Sequence, residues 1–317
     1  MHTHRLVRSL LAAVALTLGA CSTAPQRDTV APAAESLTVC SFNIKFVGNF
    51  KDKDNTALAN LLKAYDLVVV QELIAPPVAT PTDTTRNRAW KFFQAMEAQG
   101  FRSVLSESDT GHATLGGNTT STEYFVTFYK PAKVSPVTDL PHGFIGSPLS
   151  QNSSFKRVPY AFAFRTPGGK FDFVLVSVHL EPTDRVFRAG EFRAIASWLQ
   201  QQYSTQPERD LIVLGDTNLQ NQAELTANTP GNFISLNDAC VRTNVALGSA
   251  KPFDHIFFNP QFTREIDRTY GFKVINLVEA VQPGVPLTTA TQTKFFGTYS
   301  DHHPVVFRFK LPAHDDD

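Results

Sequence analysis

The feature that most constrains this chain is a recurring pattern. From Leu37 onward, short apolar runs alternate with clusters of Gly, Pro, Asn and Asp: LTVCSFNI, DLVVVQEL, EYFVTFYK, YAFAF, FDFVLVSV, LIVLG, FDHIFF and PVVFRF. Runs of about four to eight residues rich in Val, Ile and Phe, bounded by turn residues, read as strands. The 26 Phe against two Met agree, because aromatic rings suit a pleated, half-buried surface. Thr166-Pro167-Gly168-Gly169-Lys170 joins two of the runs as a hairpin turn. Helical spacing appears in residues 56–65, with Leu58, Leu61 and Leu62 on one face. It recurs in 90–98, stopped by Gly100, and in 188–203, with Phe192, Ile195 and Leu199. There is no repeat and no second linker. Many strands with a few helices predict an α/β chain: two mostly antiparallel sheets packed face to face, with helices outside.

Several runs lead straight into polar residues capable of chemistry. LTVCSF ends in Asn43, DLVVVQ in Glu72, FDFVLVSV in His179, and LIVLG in Asp216 with Asn218. Two others reverse the order, with Asp254 before HIFF and Asp301-His302 before HPVVFRF. If the two sets run antiparallel, the ends of the first and the starts of the second share one edge, and six strands converge their polar residues in one cleft. Singly, each has a structural explanation. Asp216-Thr217-Asn218 suits a turn, His179 a hydrogen-bonded structural histidine, and Asp301 a loop cap. Glu72, closing a run of three Val, is harder to explain so, since a carboxylate beside a buried strand needs a partner. Oxygen donors without thiolates favour a hard cation, Mg²⁺, with Mn²⁺ or Ca²⁺ as alternatives. Such an ion neutralises a phosphoryl oxygen in an in-line displacement. Two histidines with carboxylate partners add acid–base capacity near neutral pH. No HExxH, GxSxG or Gly-rich phosphate loop is present. Ser177 and His179 share a sheet face with no elbow turn, which argues against a serine triad.

Together, Ser41-Phe42-Asn43-Ile44, Gln71-Glu72, Ser177-Val178-His179-Leu180, Gly215-Asp216-Thr217-Asn218, Asp254-His255-Ile256 and Ser300-Asp301-His302 stand in the order of a known family. From Leu37 to about Lys310 the chain resembles the endonuclease/exonuclease/phosphatase superfamily, the deoxyribonuclease I-like proteins. The resemblance implies a four-layered α/β sandwich and a metal-dependent phosphodiesterase. It implies Glu72 as the principal metal carboxylate, with Asn43 beside it and Asp301 completing or alternating with that site. Asp216 and Asn218 would position the attacking water or the scissile phosphate, and His179 and His302 would flank that phosphate. Asp254 would orient His302. Glu123 matches the carboxylate that pairs with the first histidine, and Arg157 matches an arginine that contacts phosphate. The Glu123 match favours a DNA endonuclease working by in-line water attack. A phosphoesterase acting on a phospholipid head group or other small phosphate ester is the alternative, and a non-catalytic binding lipoprotein on the same fold a third. Lys130 stands where many such nucleases have Arg, and neither the basic insertions of abasic-site enzymes nor the aromatic hairpin of secreted sphingomyelinases is evident. The placement of Lys45, Lys130, Arg157, Arg185 and Arg188 separates a basic rim, suited to a polymer, from a closed pocket.

The N-terminus reads as an address. A basic segment is followed by LLAAVALTLGA, whose eleven residues fall well short of a membrane-spanning helix, which needs about 20. Leu18-Gly19-Ala20-Cys21 resembles a bacterial lipobox, which implies an exported protein lipid-anchored at Cys21 to the cell envelope, facing the periplasm or in the outer membrane. The expected organisation is a signal peptide over 1–20, a Pro/Ala-rich tether over 21–36, the catalytic domain over 37–312 and an acidic tail over 313–317, as a monomer. The chain carries 29 basic and 29 acidic residues; without residues 1–20 it loses Arg5 and Arg8 and no acid, leaving 27 against 29, a net of −2. A basic DNA clamp is therefore excluded, and the decisive positive charge must be local or come from a metal. Cys40 and Cys240 either pair in an oxidising compartment or are each a small buried residue.

Overall fold

The computed structural model describes residues 35–110, 122–147 and 153–315. The signal segment, Cys21, the tether up to residue 34 and the last two residues of the tail lie outside the described residues. In chain order the strands are β1 (Ser36–Val47), β2 (Leu67–Leu73), β3 (Arg102–Leu105), β4 (Tyr124–Tyr129), β5 (Ser135–Pro136), β6 (Gly143–Phe144), β7 (Tyr160–Arg165), β8 (Asp172–His179), β9 (Leu211–Asp216), β10 (Ile234–Ser235), β11 (Asp254–Phe258), β12 (Lys273–Val274) and β13 (Val305–Lys310). The helices are α1 (Asn55–Leu62), α2 (Thr84–Glu97), α3 (Arg185–Thr205), α4 (Gln222–Asn228), α5 (Leu277–Val281) and α6 (Gln292–Thr298). α2 begins six residues before the apolar pattern does, because Asp83 caps it by accepting from Arg86 N. Asp184 likewise starts α3 by accepting from Val186 N and Phe187 N.

One sheet has six strands in the order β12-β13-β1-β2-β4-β3, and the other runs β10-β11-β9-β8-β7-β5 with β6 also on β7. Most pairs are antiparallel as expected, but β1–β2 and β8–β9 are parallel. Each of those pairs encloses a crossover helix, α1 and α3 respectively, as a parallel connection requires. β7 and β8 form the expected hairpin.

Side chains alternate between layers with the period of two that a strand imposes. In β2, Leu67 and Val69 face the space between the sheets, while Val68 and Val70 face the helices. In β9, Ile212 and Leu214 face inward, while Leu211 and Val213 pack under α3. Phe fills the inter-sheet layer: Phe171, just before β8, and Phe173 within it meet Phe309 of the other sheet at centroid distances of 5.1 and 5.0 Å. Phe92, Phe93 and Met96 of α2 cover the outer face of the first sheet, and Phe192, Ile195 and Leu199 of α3 cover that of the second. The result is four layers, helix–sheet–sheet–helix. Cys40 is buried beneath the helices, Cys240 is half-buried, and both are free thiols. Among the described residues no helix is long and apolar enough to cross a membrane.

Candidate active site

The alternation that builds the layers also aims the polar tips. In the second sheet, His179 at the end of β8 pairs with Asp216 at the end of β9, which pairs with Asp254 at the start of β11. In the first, Asn43 of β1 lies in register with Gln71 of β2, next to Glu72. Asp301 and His302 enter just before β13. All six expected strands bring their polar residues to one place. Gly215 permits the close approach of β9 to β8. Its φ is +138°, and a Cβ there would stand 2.1 Å from Val178 O.

Two imidazole–carboxylate pairs face the same aspartate. His179 Nδ1 lies 2.8 Å from Glu123 Oε2, and His302 Nδ1 lies 2.8 Å from Asp254 Oδ2. The Nε2 atoms of both histidines are 3.5 Å from Asp216 Oδ2. Asn43 Nδ2 donates to Asp216 Oδ2 at 2.9 Å and to Glu72 Oε1 at 2.8 Å, so one amide bridges the two sheets' carboxylates. Asp216 Oδ1 accepts from Asn218 N at 3.0 Å, and Asn218 Nδ2 donates to Leu180 O. Asn43, Glu72, Glu123, His179, Asp216, Asn218, Asp254 and His302 are all buried.

The two histidines are driven in opposite directions. Burial and the nearby Arg157 guanidinium hold His179 down to about 4, against the pull of Asp216 and Glu72. Burial also opposes charge on His302, but Asp254, Asp216 and Asp301 outweigh it and keep this imidazole protonated well above its ordinary range. Burial pushes Glu123 up to about 7, against Arg157. Burial, with Glu123 and Asp301 nearby, raises Glu72 against the effects of His179 and Asn43. Burial and Asp254 raise Asp216 against both histidines and Asn43. Glu72 and Asp216 are therefore two buried carboxylates sharing one amide donor. Ligand atoms of Glu72, His179 and Asp216 lie within 4.8 Å of one another, as do those of Asp216, Asp254 and His302. Hard oxygen donors joined by imidazole nitrogen, with no thiolate, fit a divalent cation.

Arg157 sits differently from the expectation, Asn43 stands beside Glu72 as expected, and Asp301 has a partner of its own. Arg157 is 5% exposed, and its guanidinium donates to His179 O at 2.8 Å and Leu180 O at 2.9 Å. Its hydrogen bonds hold the end of β8, and its charge, 3.9 Å from Glu123, acts on the first dyad. Asn43 directs its amide nitrogen at the carboxylates, while its oxygen accepts from Lys45 N at 3.1 Å. Asp301 is ion-paired with Lys45 at the rim. Of the five basic residues in question, Lys45 is therefore the one beside the cleft. Lys130 donates to Lys63 O, Arg185 pairs with Glu224, and Arg188 is buried against Glu181 O and Glu224.

Sequence reasoning overlooked Lys53. Its Nζ donates to Ile44 O at 2.7 Å and Tyr299 O at 2.6 Å, tying the end of β1 to the segment carrying Asp301 and His302. Burial lowers it to about 7, against Glu72 and Asp301. Ser300 adds a second tie, its Oγ donating to Asn43 O at 2.6 Å and accepting from His302 N at 3.0 Å. A lone lysine after a loop carries no signal of this kind.

No family model matches the chain, and no curated protein matches it by sequence. Solved structures do. An endonuclease/exonuclease/phosphatase family protein from Bacteroides thetaiotaomicron superposes with a TM-score of 0.57 at 16% identity, over 89% of this chain and 99% of that one. This chain has the endonuclease/exonuclease/phosphatase fold. Truncated TDP2 from Caenorhabditis elegans gives 0.57 at 16% identity, over 87% and 98%. TDP2 from D. rerio, solved with a single-strand DNA product, gives 0.54 at 17% identity, over 87% and 99%. In this endonuclease/exonuclease/phosphatase fold the cleft at the strand tips is where the polar residues of both sheets meet.

Proposed function

We propose that this protein is a divalent-metal-dependent phosphodiesterase that cleaves DNA. The observation that carries the reading is the pair of dyads, Glu123–His179 and Asp254–His302, each with Nε2 3.5 Å from the same oxygen of Asp216. Environments that push two titratable groups apart assign the base and the acid. Neutral His179 donates Nδ1–H to Glu123 and presents the Nε2 lone pair to a water. Arg157 opposes the rise that burial imposes on Glu123 and so favours the carboxylate form that this tautomer needs. Protonated His302, held by Asp254, presents Nε2–H to the leaving oxygen. Asp216 faces both ring nitrogens, and Asn218 N fixes its other oxygen. Glu72 would hold the metal, with Asn43 and Asp301 flanking it. Mg²⁺, or Mn²⁺ or Ca²⁺ in its place, would neutralise a phosphoryl oxygen and stabilise charge in the displacement. The DNA product bound to a relative of this fold supports DNA as the substrate.

Plasmid nicking tests the reading, in Mg²⁺ with and without chelator, for wild type and His179→Ala. Nicking that needs the ion and falls about 10²- to 10⁴-fold in the variant is expected for loss of a general base. Equal nicking by both proteins removes His179 from the mechanism, and nicking unaffected by chelator removes the metal.

A further inference from the structure

The end of β1 carries a feature that neither dyad needs. Lys45 and Phe46 both have positive φ, 54° and 51°, which is costly for a bulky aromatic residue. The conformation is held from the site itself: Asn43 Oδ1 accepts from Lys45 N, and Glu72 Oε2 accepts from Phe46 N at 3.2 Å. The Phe46 ring is 38% exposed, although Val47 beside it is buried. Phe50 backs it, with centroids 6.2 Å apart and planes 30° apart. Phe50 in turn is seated on Gly297, where an added Cβ would meet its ring at 3.3 Å.

Cations interleave with these rings. Lys45 Nζ lies 5.5 Å from the centroid of Phe46 and 5.7 Å from that of Phe296, and Lys53 Nζ lies 5.8 Å from that of Phe50. Beside Phe50 opens a cleft of about 410 Å³ lined by the cations Lys51, Arg88 and Lys294 and by one acid, Asp52. Proteins that hold single strands without sequence preference combine aromatic rings, on which bases stack, with a basic groove along the backbone. A base inside a duplex already stacks on both faces and cannot use such a ring.

We infer that Phe46, backed by Phe50, is a stacking platform for an unpaired base next to the scissile phosphate, and that the enzyme prefers single-stranded DNA. The inference rests on the phosphodiesterase reading above. The Phe46–Glu72 hydrogen bond sets the register, since the platform's own backbone touches the carboxylate assigned to the metal. Lys51, Arg88 and Lys294 supply locally the positive charge that the net of −2 lacks overall.

The experiment compares wild type, Phe46→Ala and Phe46→Trp on three substrates in Mg²⁺. These are a single-stranded oligonucleotide, its duplex, and bis(p-nitrophenyl) phosphate, which has no base. Anisotropy of a labelled oligothymidylate in chelator reads binding without turnover, and thermal melts report folding. Wild type should prefer the single strand. Phe46→Ala should lower the ratio of kcat/KM on the single strand to that on the baseless ester by about 5- to 100-fold, through KM, with a matching loss of anisotropy-measured affinity. Phe46→Trp should restore both. An unchanged ratio, or equal loss on single strand and duplex, overturns the platform. So does loss of binding to anionic phospholipid vesicles with the oligonucleotide ratio intact, which would make Phe46 a membrane contact. Failure of wild type on all three substrates overturns the phosphodiesterase reading itself, whatever Phe46 does to oligonucleotide binding.

Discussion

Replacing Asp254 with Asn isolates the proton-donor role of His302. Asp254 is fully buried at the start of β11, and its Oδ2 is 2.8 Å from His302 Nδ1. Asn keeps the size and an acceptor oxygen but removes one of the charges that hold His302 protonated against burial. A hydrogen bond to a charged group is worth about 1.5–3 kcal/mol. Since about 1.4 kcal/mol is a factor of ten, the donor form of His302 loses roughly ten- to hundredfold in relative stability. The sign follows from the direction of the shift. In wild type the raised imidazole is still a donor at and above neutrality. Without Asp254 it gives up its proton in a lower range, so the alkaline limb of kcat/KM moves to lower pH. The measurement is kcat/KM from about pH 5.5 to 9.5 at saturating Mg²⁺ on two substrates, with melts to confirm folding. A DNA oligonucleotide leaves as an alkoxide and needs a proton; bis(p-nitrophenyl) phosphate leaves as a stable phenolate and needs little help. At about pH 8 the variant should lose on the order of 10²-fold on DNA and much less on the phenolate ester, recovering toward pH 6. An alkaline limb at the wild-type position, or equal losses on both leaving groups, refutes the argument.

Gly215→Ala forces a Cβ to within 2.1 Å of Val178 O at a φ of +138°, so a loss of about 3 kcal/mol or more, read as a lower urea midpoint or as failure to accumulate soluble protein, is expected. His255 is fully buried and held by burial down to about 4, so the unfolded chain binds its proton first. Stability measured by urea unfolding should fall as pH drops from about 6.5 to 4, by up to about 3 kcal/mol from this group, and His255→Leu should flatten that slope. Cys21→Ala should move the protein from the membrane to the soluble fraction on cell fractionation. In that variant a thiol reagent should label Cys240 in the native state and both Cys240 and Cys40 after denaturation, whereas a disulfide would leave both unlabelled.

What was legible in the sequence follows from the period of a strand. Because side chains alternate and chain direction is fixed within a run, LIVLG followed by Asp216 and HIFF preceded by Asp254 place those carboxylates at one edge once β9 and β11 pair antiparallel, as they do. The pairing of Glu123 with His179 came only through family resemblance, since 56 residues separate them and no local pattern joins them. Less legible was the use made of each charge. Arg157 matches by family resemblance an arginine that contacts phosphate, but two backbone carbonyls at the end of β8 need donors, and the buried guanidinium satisfies them. Lys53 and Lys45 look alike in sequence, yet one ties two segments together through carbonyls and the other pairs with Asp301 at the rim.

The asymmetry of the two dyads is the deepest of these hidden facts, and it has a simple origin. Both histidines are buried, both touch a carboxylate through Nδ1, and both face Asp216, so composition alone would make them equivalents. The difference is what stands behind the carboxylate. Behind Glu123 is Arg157, whose charge offsets that of Glu123 and repels a proton on His179. Around His302 stand Asp254, Asp216 and Asp301, which burial alone cannot override. Burial and one arginine turned inward, fixed by the backbone it supports, thus hold one imidazole down while three aspartates hold the other up. Replacing Arg157 with Met would remove the largest charge effect that lowers His179 and leave burial in place: His179 should rise part of the way toward its ordinary range, and the acid limb of kcat/KM should move to higher pH while the alkaline limb set by His302 stays in place.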